Sequence, residues 1–129
     1  MTNKKEIYKC EVCGNIVEVL HDGVGTLVCC GQPMNLMKEK TEEEGNEKHI
    51  PVILENEEGV NVKIGSVEHP MTEEHYIEWI EISTENGESK KFLTPDDKPE
   101  ANFPVKNKNI KAREYCNIHG LWKNDEKEK

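Results

Sequence analysis

The chain has 129 residues, room for one ordinary domain or two small ones, and only 34% of them are hydrophobic against 33% charged. Its 26 acidic and 17 basic side chains leave a net charge of −9, the wrong sign for a protein that grips nucleic-acid phosphates. No run of 18 apolar residues is present to span a bilayer, and Met1 to Cys10 hold three Lys and no apolar stretch of a secretory signal. Nucleic acid, membrane and export are therefore not expected, and a cytoplasmic protein is.

Residues 1–37 come first, with four of the five Cys, a single His and near-neutral charge. An odd number of Cys in a reducing compartment points to metal ligation before disulfides. The chain is also only 5% aromatic, and so lean a core gains from a metal staple or a partner subunit. Cys10 and Cys13 form C-x2-C, in which one tight turn aims two sulfurs at one ion and Gly14 permits close backbone approach. Cys29 and Cys30 are adjacent, and adjacent side chains diverge. Both can reach one ion only if the backbone between them bends sharply, which predicts a distorted tetrahedron. A set of four thiolates suits zinc or iron. Spacing leaves the metal open.

Residues 38–48, KEKTEEEGNEK, have no apolar anchor and read as a solvated linker. Residues 49–129 follow, punctuated by Pro51, Pro70, Pro95, Pro99 and Pro104, with an apolar pattern of period two. Val60, Val62 and Ile64 alternate with polar residues, as do Ile80 and Ile82, and Asn86-Gly87 is a hairpin signal. Short strands at roughly ten-residue spacing predict an all-β sandwich or barrel. The expected order is a small metal knuckle over 1–37, a linker over 38–48 and a β-sandwich over 49–129.

The remaining ligand-type residues of that last segment are His49, His69, His75, Cys116 and His119. Cys116 and His119 make C-x2-H, a chelating spacing. His69 and His75 stand at the two ends of a short loop whose length lets both rings converge, and Pro51 stiffens the approach of His49. Taken singly, each of these His is more often a surface residue than a ligand. Spacing alone does not bring the five together.

The segments C-E-V-C-G, C-C-G-Q-P-M, E-K-H-I-P, H-P-M-T-E-E-H-Y-I-E-W and Y-C-N-I-H-G-L-W, in this order from Tyr8 to Trp122, resemble those of desulfoferrodoxin, the two-iron superoxide reductase family. The resemblance implies a desulforedoxin-like domain holding one iron through Cys10, Cys13, Cys29 and Cys30, then an immunoglobulin-like β-sandwich with a catalytic iron. It implies His49, His69, His75 and His119 as equatorial ligands of that second iron, Cys116 as the axial one, and an open sixth position. There the family reduces superoxide by one electron to hydrogen peroxide, an inner-sphere reaction that detoxifies it under oxidative stress. His21 receives no role.

Charge counting agrees with this implication. Four neutral imidazoles and one thiolate around a divalent iron leave one net positive charge, which draws an anion although the chain carries −9. Most of that negative charge is expected beyond a Debye length of about 8 Å. By the resemblance, Lys48 adds a local positive charge near the open position, and Glu47 ligates the oxidised iron once peroxide has left. The family further implies rubredoxin or a similar small carrier as electron donor, and a homodimer. A pure electron carrier, a zinc-stapled binding module, zinc in the four-thiolate site and superoxide dismutation are the competing readings. An open coordination position, metal content and oxygen release separate them.

Overall fold

Alternating apolar residues and frequent Pro leave little for a helix to bury, and the chain accordingly folds as strands joined by tight turns. The structure, a computed structural model, describes residues 1–41, 48–106 and 109–124. Among these every regular element is a strand, and no helix is long and apolar enough to cross a membrane. The middle of the expected linker, residues 42–47, lies outside the described residues, and Glu47 with it. Two compact units are formed, Met1–Lys38 and Glu39–Lys129.

In the first unit, β1 (Ile7–Lys9) lies between β2 (Ile16–Glu18) and β5 (Asn35–Met37) in an antiparallel sheet. A separate hairpin pairs β3 (Val28–Cys29) with β4 (Gln32–Pro33). Its core is small: Ile7, Cys10 and Val19 are buried, while Val12, Val17, Leu20, Val24, Val28 and Leu36 remain exposed. Such a unit buries too little apolar area to be strongly stable on its own side chains.

The second unit is a two-sheet sandwich. One sheet has the order β10-β7-β6, with β6 at Pro51–Asn56, β7 at Gly59–Ile64 and β10 at Glu100–Phe103. The other runs β12-β11-β8-β9, with β8 at Ile77–Thr84, β9 at Gly87–Phe92, β11 at Lys111–Cys116 and β12 at Gly120–Lys123. All pairings between these named strands are antiparallel. The period-two residues do what alternation predicts: Val60, Val62, Ile64, Ile80 and Ile82 meet Ala101, Phe103 and Ala112 in one core. Asn86 and Gly87 close the β8–β9 hairpin, in which Thr84 pairs with Gly87.

Two irregularities aim this framework at one end of the sandwich. β8 carries an extra residue opposite the Tyr115–Cys116 step, a bulge that turns the ends of β8 and β11 where Cys116 leaves the sheet. β11 and β12 are then joined across Cys116 and Gly120 by the three residues Asn117 to His119, and Gly120 has φ +88°. A three-residue hairpin loop closed by a left-handed glycine is a standard connection. Here it carries the C-x2-H pair.

Glu39 and Lys40, at the start of the expected linker, are fastened to the sandwich. Lys40 bridges Trp122 as a short parallel extension of β12. Arg113 donates to Glu39 at 2.8 Å and to Glu81 at 2.8 and 3.0 Å. The solvated composition of KEKTEEE conceals this anchoring, because the partners lie more than seventy residues away.

Candidate metal centres

The first cluster is built on two turns. In the C-x2-C turn the Gly14 amide donates to the Cys10 carbonyl at 2.9 Å, with Gly14 at φ +87°, and the Cys13 amide points at Cys10 Sγ at 3.4 Å. That amide is the main reason the Cys10 thiol is held down to about 6. In the second turn Cys30 has φ +53° and Gly31 φ +74°, the two successive positive values that a tight two-residue hairpin demands. This is the sharp bend that adjacent cysteines need to share one ion. Hydrogen bonds among the crowded thiols, that to Cys13 first, raise the Cys29 and Cys30 pKa values.

The four sulfurs lie within 4.8 Å of one another. Cys13 Sγ stands 3.5 Å from Cys29 Sγ, which is 3.9 Å from Cys30 Sγ. A regular tetrahedron of thiolates with metal–sulfur bonds near 2.3 Å has edges of about 3.8 Å, so these distances suit a single ion. His21 is exposed and belongs to neither cluster.

The second cluster gathers His49, His69, His75, Cys116 and His119 from four parts of the sandwich. Around it the imidazole centroids follow one another as His49–His69 at 4.8 Å, His69–His75 at 4.7 Å, His75–His119 at 5.0 Å and His119–His49 at 4.6 Å. Each neighbouring pair meets edge to face, whereas His49 and His75 face each other at 6.5 Å and 29°. That separation is close to √2 times the sides, so the ring centroids turn through nearly a right angle at His69 and at His119. The donor atoms of His49, His75, His119 and Cys116 lie within 4.8 Å of one another. His49 Nε2 is 3.0 Å from His119 Nδ1, and two nitrogens at right angles on a metal with 2.1 Å bonds would also stand about 3.0 Å apart.

Two of the imidazoles are held toward the neutral form, the form that can bind a cation. His69 Nδ1 donates to the Pro70 carbonyl at 2.6 Å, which leaves Nε2 as the basic nitrogen. Among the described residues, Nε2 of His69 and Nε2 of His75 are buried without a hydrogen-bond partner, and a metal ion would satisfy both. Burial, above all, pushes His69 down to about 4. Burial and the charges of His49 and Lys48 push His75 down as well, which places the Lys48 cation within electrostatic reach of the cluster. Cys116 is fully buried, and burial raises its thiol pKa; the His119 and Ile118 amides act against this by directing their N–H groups at the sulfur. The His119 amide is 3.4 Å from Sγ.

The depressed His69 pKa makes metal-free stability depend on pH. In the unfolded chain this imidazole titrates near 6.5 and in the folded one near 4, so its contribution is complete above 6.5 and is lost as pH falls toward 4. Urea unfolding of the metal-free protein is expected to show a lower midpoint at pH 5 than at pH 7.5. His69→Gln is expected to flatten that difference, and an equal pH dependence in both proteins would remove His69 as its source.

Other residues hold the side chains of the second cluster in place. Gly65, at φ +81°, donates to the Ile50 carbonyl at 3.0 Å. A Cβ there would stand 2.6 Å from the Lys48 carbonyl oxygen, so only glycine lets the Lys48–His49 backbone lie where it does. Asn117 binds the His75 loop on three sides: its Oδ1 accepts from the Tyr76 amide at 2.9 Å, its Nδ2 donates to the Glu74 carbonyl at 3.0 Å, and its amide donates to the Tyr76 carbonyl at 3.2 Å. Trp122 stacks on His49 at 4.8 Å and 16° and donates Nε1–H to the His119 carbonyl at 3.1 Å. Gly65 had one local signal, a glycine closing an alternating strand. Asn117 and Trp122 were already inside the quoted Y-C-N-I-H-G-L-W segment without a stated task.

A four-thiolate knuckle and a separate pocket of four imidazoles and one thiolate, on an all-β scaffold, define a non-heme metalloprotein with two mononuclear centres. Comparison with known proteins agrees. The desulfoferrodoxin family matches residues 41–125, and the desulfoferrodoxin N-terminal domain matches residues 2–37. The desulfoferrodoxin of Syntrophotalea carbinolica is 55% identical over 97% of this chain and 99% of its own, and that of Nitratidesulfovibrio vulgaris 58% identical over 95% and 98%. Among solved structures, the superoxide reductase from Treponema pallidum superposes with a TM-score of 0.76 at 31% identity, covering 93% of this chain and 97% of that one. A one-iron superoxide reductase from Giardia intestinalis reaches 0.53 at 35% identity, covering 60% of this chain and 95% of that one. The chain belongs to the desulfoferrodoxin family, and its two donor sets fit two iron ions per chain.

Proposed function

We propose that this protein is a superoxide reductase whose chemistry takes place at the second centre. The observation that carries the reading is the gathering of four imidazoles around one buried thiol. The residues that would hold the ion are His49, His69 and His75 through Nε2, His119 through Nδ1, and Cys116 through Sγ. Iron held by this set supplies one-electron redox chemistry. One electron and two protons turn superoxide into hydrogen peroxide, with the O–O bond kept.

The side chains divide the remaining tasks. Cys116 contributes the single negative charge of the set, stabilised by the His119 amide, so the centre keeps a net positive charge toward an anionic substrate. Lys48 draws the anion toward the His75 side. Solvent supplies the protons, and Lys48 organises that water. Glu47, outside the described residues, would help hold the oxidised ion, the role the family pattern assigns it. The Giardia intestinalis protein named as a one-iron enzyme aligns with 60% of this chain; the four-cysteine iron is accordingly read as structural or accessory. External electrons come from rubredoxin or a similar small carrier in the cytoplasm, and the exposed apolar residues of the first unit give a homodimer its physical motive.

The test is metal content per chain together with optical spectra before and after mild reduction, followed by anaerobic mixing with superoxide. Two irons, two separately bleachable thiolate-to-iron bands and peroxide without oxygen are expected. One zinc and no reducible chromophore would overturn the reading, and oxygen released with peroxide would replace it by dismutation. Lys48→Ala is expected to slow the superoxide reaction by about tenfold and to flatten its ionic-strength dependence. An unchanged rate would take Lys48 out of the mechanism.

A further inference from the structure

We propose that Lys40 is a positioning residue for the second centre, acting through the carbonyl of His119 and the ring of Trp122. The inference rests on the reading of that centre as an iron site. Lys40 stands where the sequence reads as solvated linker, yet its backbone is held on both sides. Its amide donates to the Leu121 carbonyl at 3.0 Å and its carbonyl accepts from the Lys123 amide at 2.9 Å. Glu39 beside it is pinned by Arg113 at 2.8 Å and approached by Lys123 at 3.7 Å.

From this fixed base the Lys40 ammonium donates to the His119 carbonyl at 2.9 Å and lies over the Trp122 ring, 5.3 Å from its centroid. The same carbonyl accepts Trp122 Nε1–H, and the same indole stacks on His49. One cation therefore touches two groups that each bear on a histidine of the cluster. His119 needs this support because it is exposed and sits in a three-residue loop, whereas His49, His69 and Cys116 are held by burial. The residue whose carbonyl Lys40 binds also directs its amide at Cys116 Sγ. Fixing that loop sets both the imidazole and the hydrogen bond to the sulfur. The ammonium adds a fixed positive charge beside the centre, and such a charge favours the ion's lower oxidation state.

Lys40→Met removes charge and donor but keeps the aliphatic stem, and Lys40→Arg keeps charge and donor. The exposed side chain and the backbone pairing predict that both fold, with urea midpoints near that of the parent. In Lys40→Met the metal-free second site is expected to bind cobalt(II) about tenfold more weakly. The iron-loaded form is expected to show a lower midpoint potential and a displaced thiolate-to-iron absorption maximum, with the four-cysteine centre unchanged. Lys40→Arg should restore all three. Parent-like affinity, potential and absorption in Lys40→Met would overturn the assignment, as would a loss that Lys40→Arg fails to repair. The parent protein separates the two ideas: if it shows no thiolate band from the second centre, the iron reading fails, whereas an intact parent band with an indifferent Lys40→Met defeats only Lys40.

Discussion

Cys116→Ser is expected to abolish the thiolate-to-iron absorption of the second centre and to leave that of the first intact. Cys116 is the one cysteine of that cluster among the described residues, and it has no solvent exposure. A serine hydroxyl is a hard oxygen that stays protonated near neutral pH, so it offers neither the charge nor the polarisable electrons of a thiolate. The fold should survive, because serine is nearly isosteric and can accept the His119 amide now directed at Sγ. Losing the only anionic donor should cost at least the 100-fold or so that bounds the usual loss from a supporting residue. Iron analysis, optical spectra and superoxide turnover on the same sample would read it. Retention of both bands would show that Cys116 is not a ligand.

Gly65→Ala should be nearly as damaging, through the backbone alone. The new Cβ would meet the Val67 carbonyl oxygen at 2.5 Å and the Lys48 carbonyl oxygen at 2.6 Å, both main-chain atoms with no rotamer to yield. The φ of +81° adds the strain of a left-handed alanine. Together these should destabilise the second unit by about 2–4 kcal/mol. Relief requires the Lys48–His49 segment to move outward, which draws His49 away from the other imidazoles. The variant is expected to lose second-site iron while the four-cysteine centre loads normally. Denaturant unfolding with metal analysis of the folded fraction checks both parts. A variant that is less stable but fully loaded at both centres would show that Gly65 serves the strand and not His49.

Where function was readable from residues, local geometry carried the signal. The C-x2-C and C-x2-H spacings are short enough for one turn to orient both donors, and the C-C-G step could be satisfied only by a reversal, now seen as two consecutive positive φ values. Strand alternation likewise announced the core, because period two is a property of a single strand. What stayed hidden depends on partners distant in sequence. Glu39 and Lys40 look like solvent-facing chain until Arg113 and Trp122 are brought to them. Asn117 reads as an ordinary turn residue until the His75 loop arrives. The convergence of five histidine and cysteine side chains is a tertiary fact, and before the structure it rested on resemblance.

The two clusters also differ in how much chain each must enclose. Cys10 meets Cys29 across 19 residues, whereas His49 meets His119 across 70. A chain emerging from the ribosome can therefore complete its four sulfurs early, while the other pocket stays unformed until the β11–β12 hairpin has been made. During that interval His49, His69 and His75 are already present but lack their sulfur and their fourth ring. Completion of the two donor sets during synthesis is thereby ordered by chain position alone, the four sulfurs first and the imidazole cluster last.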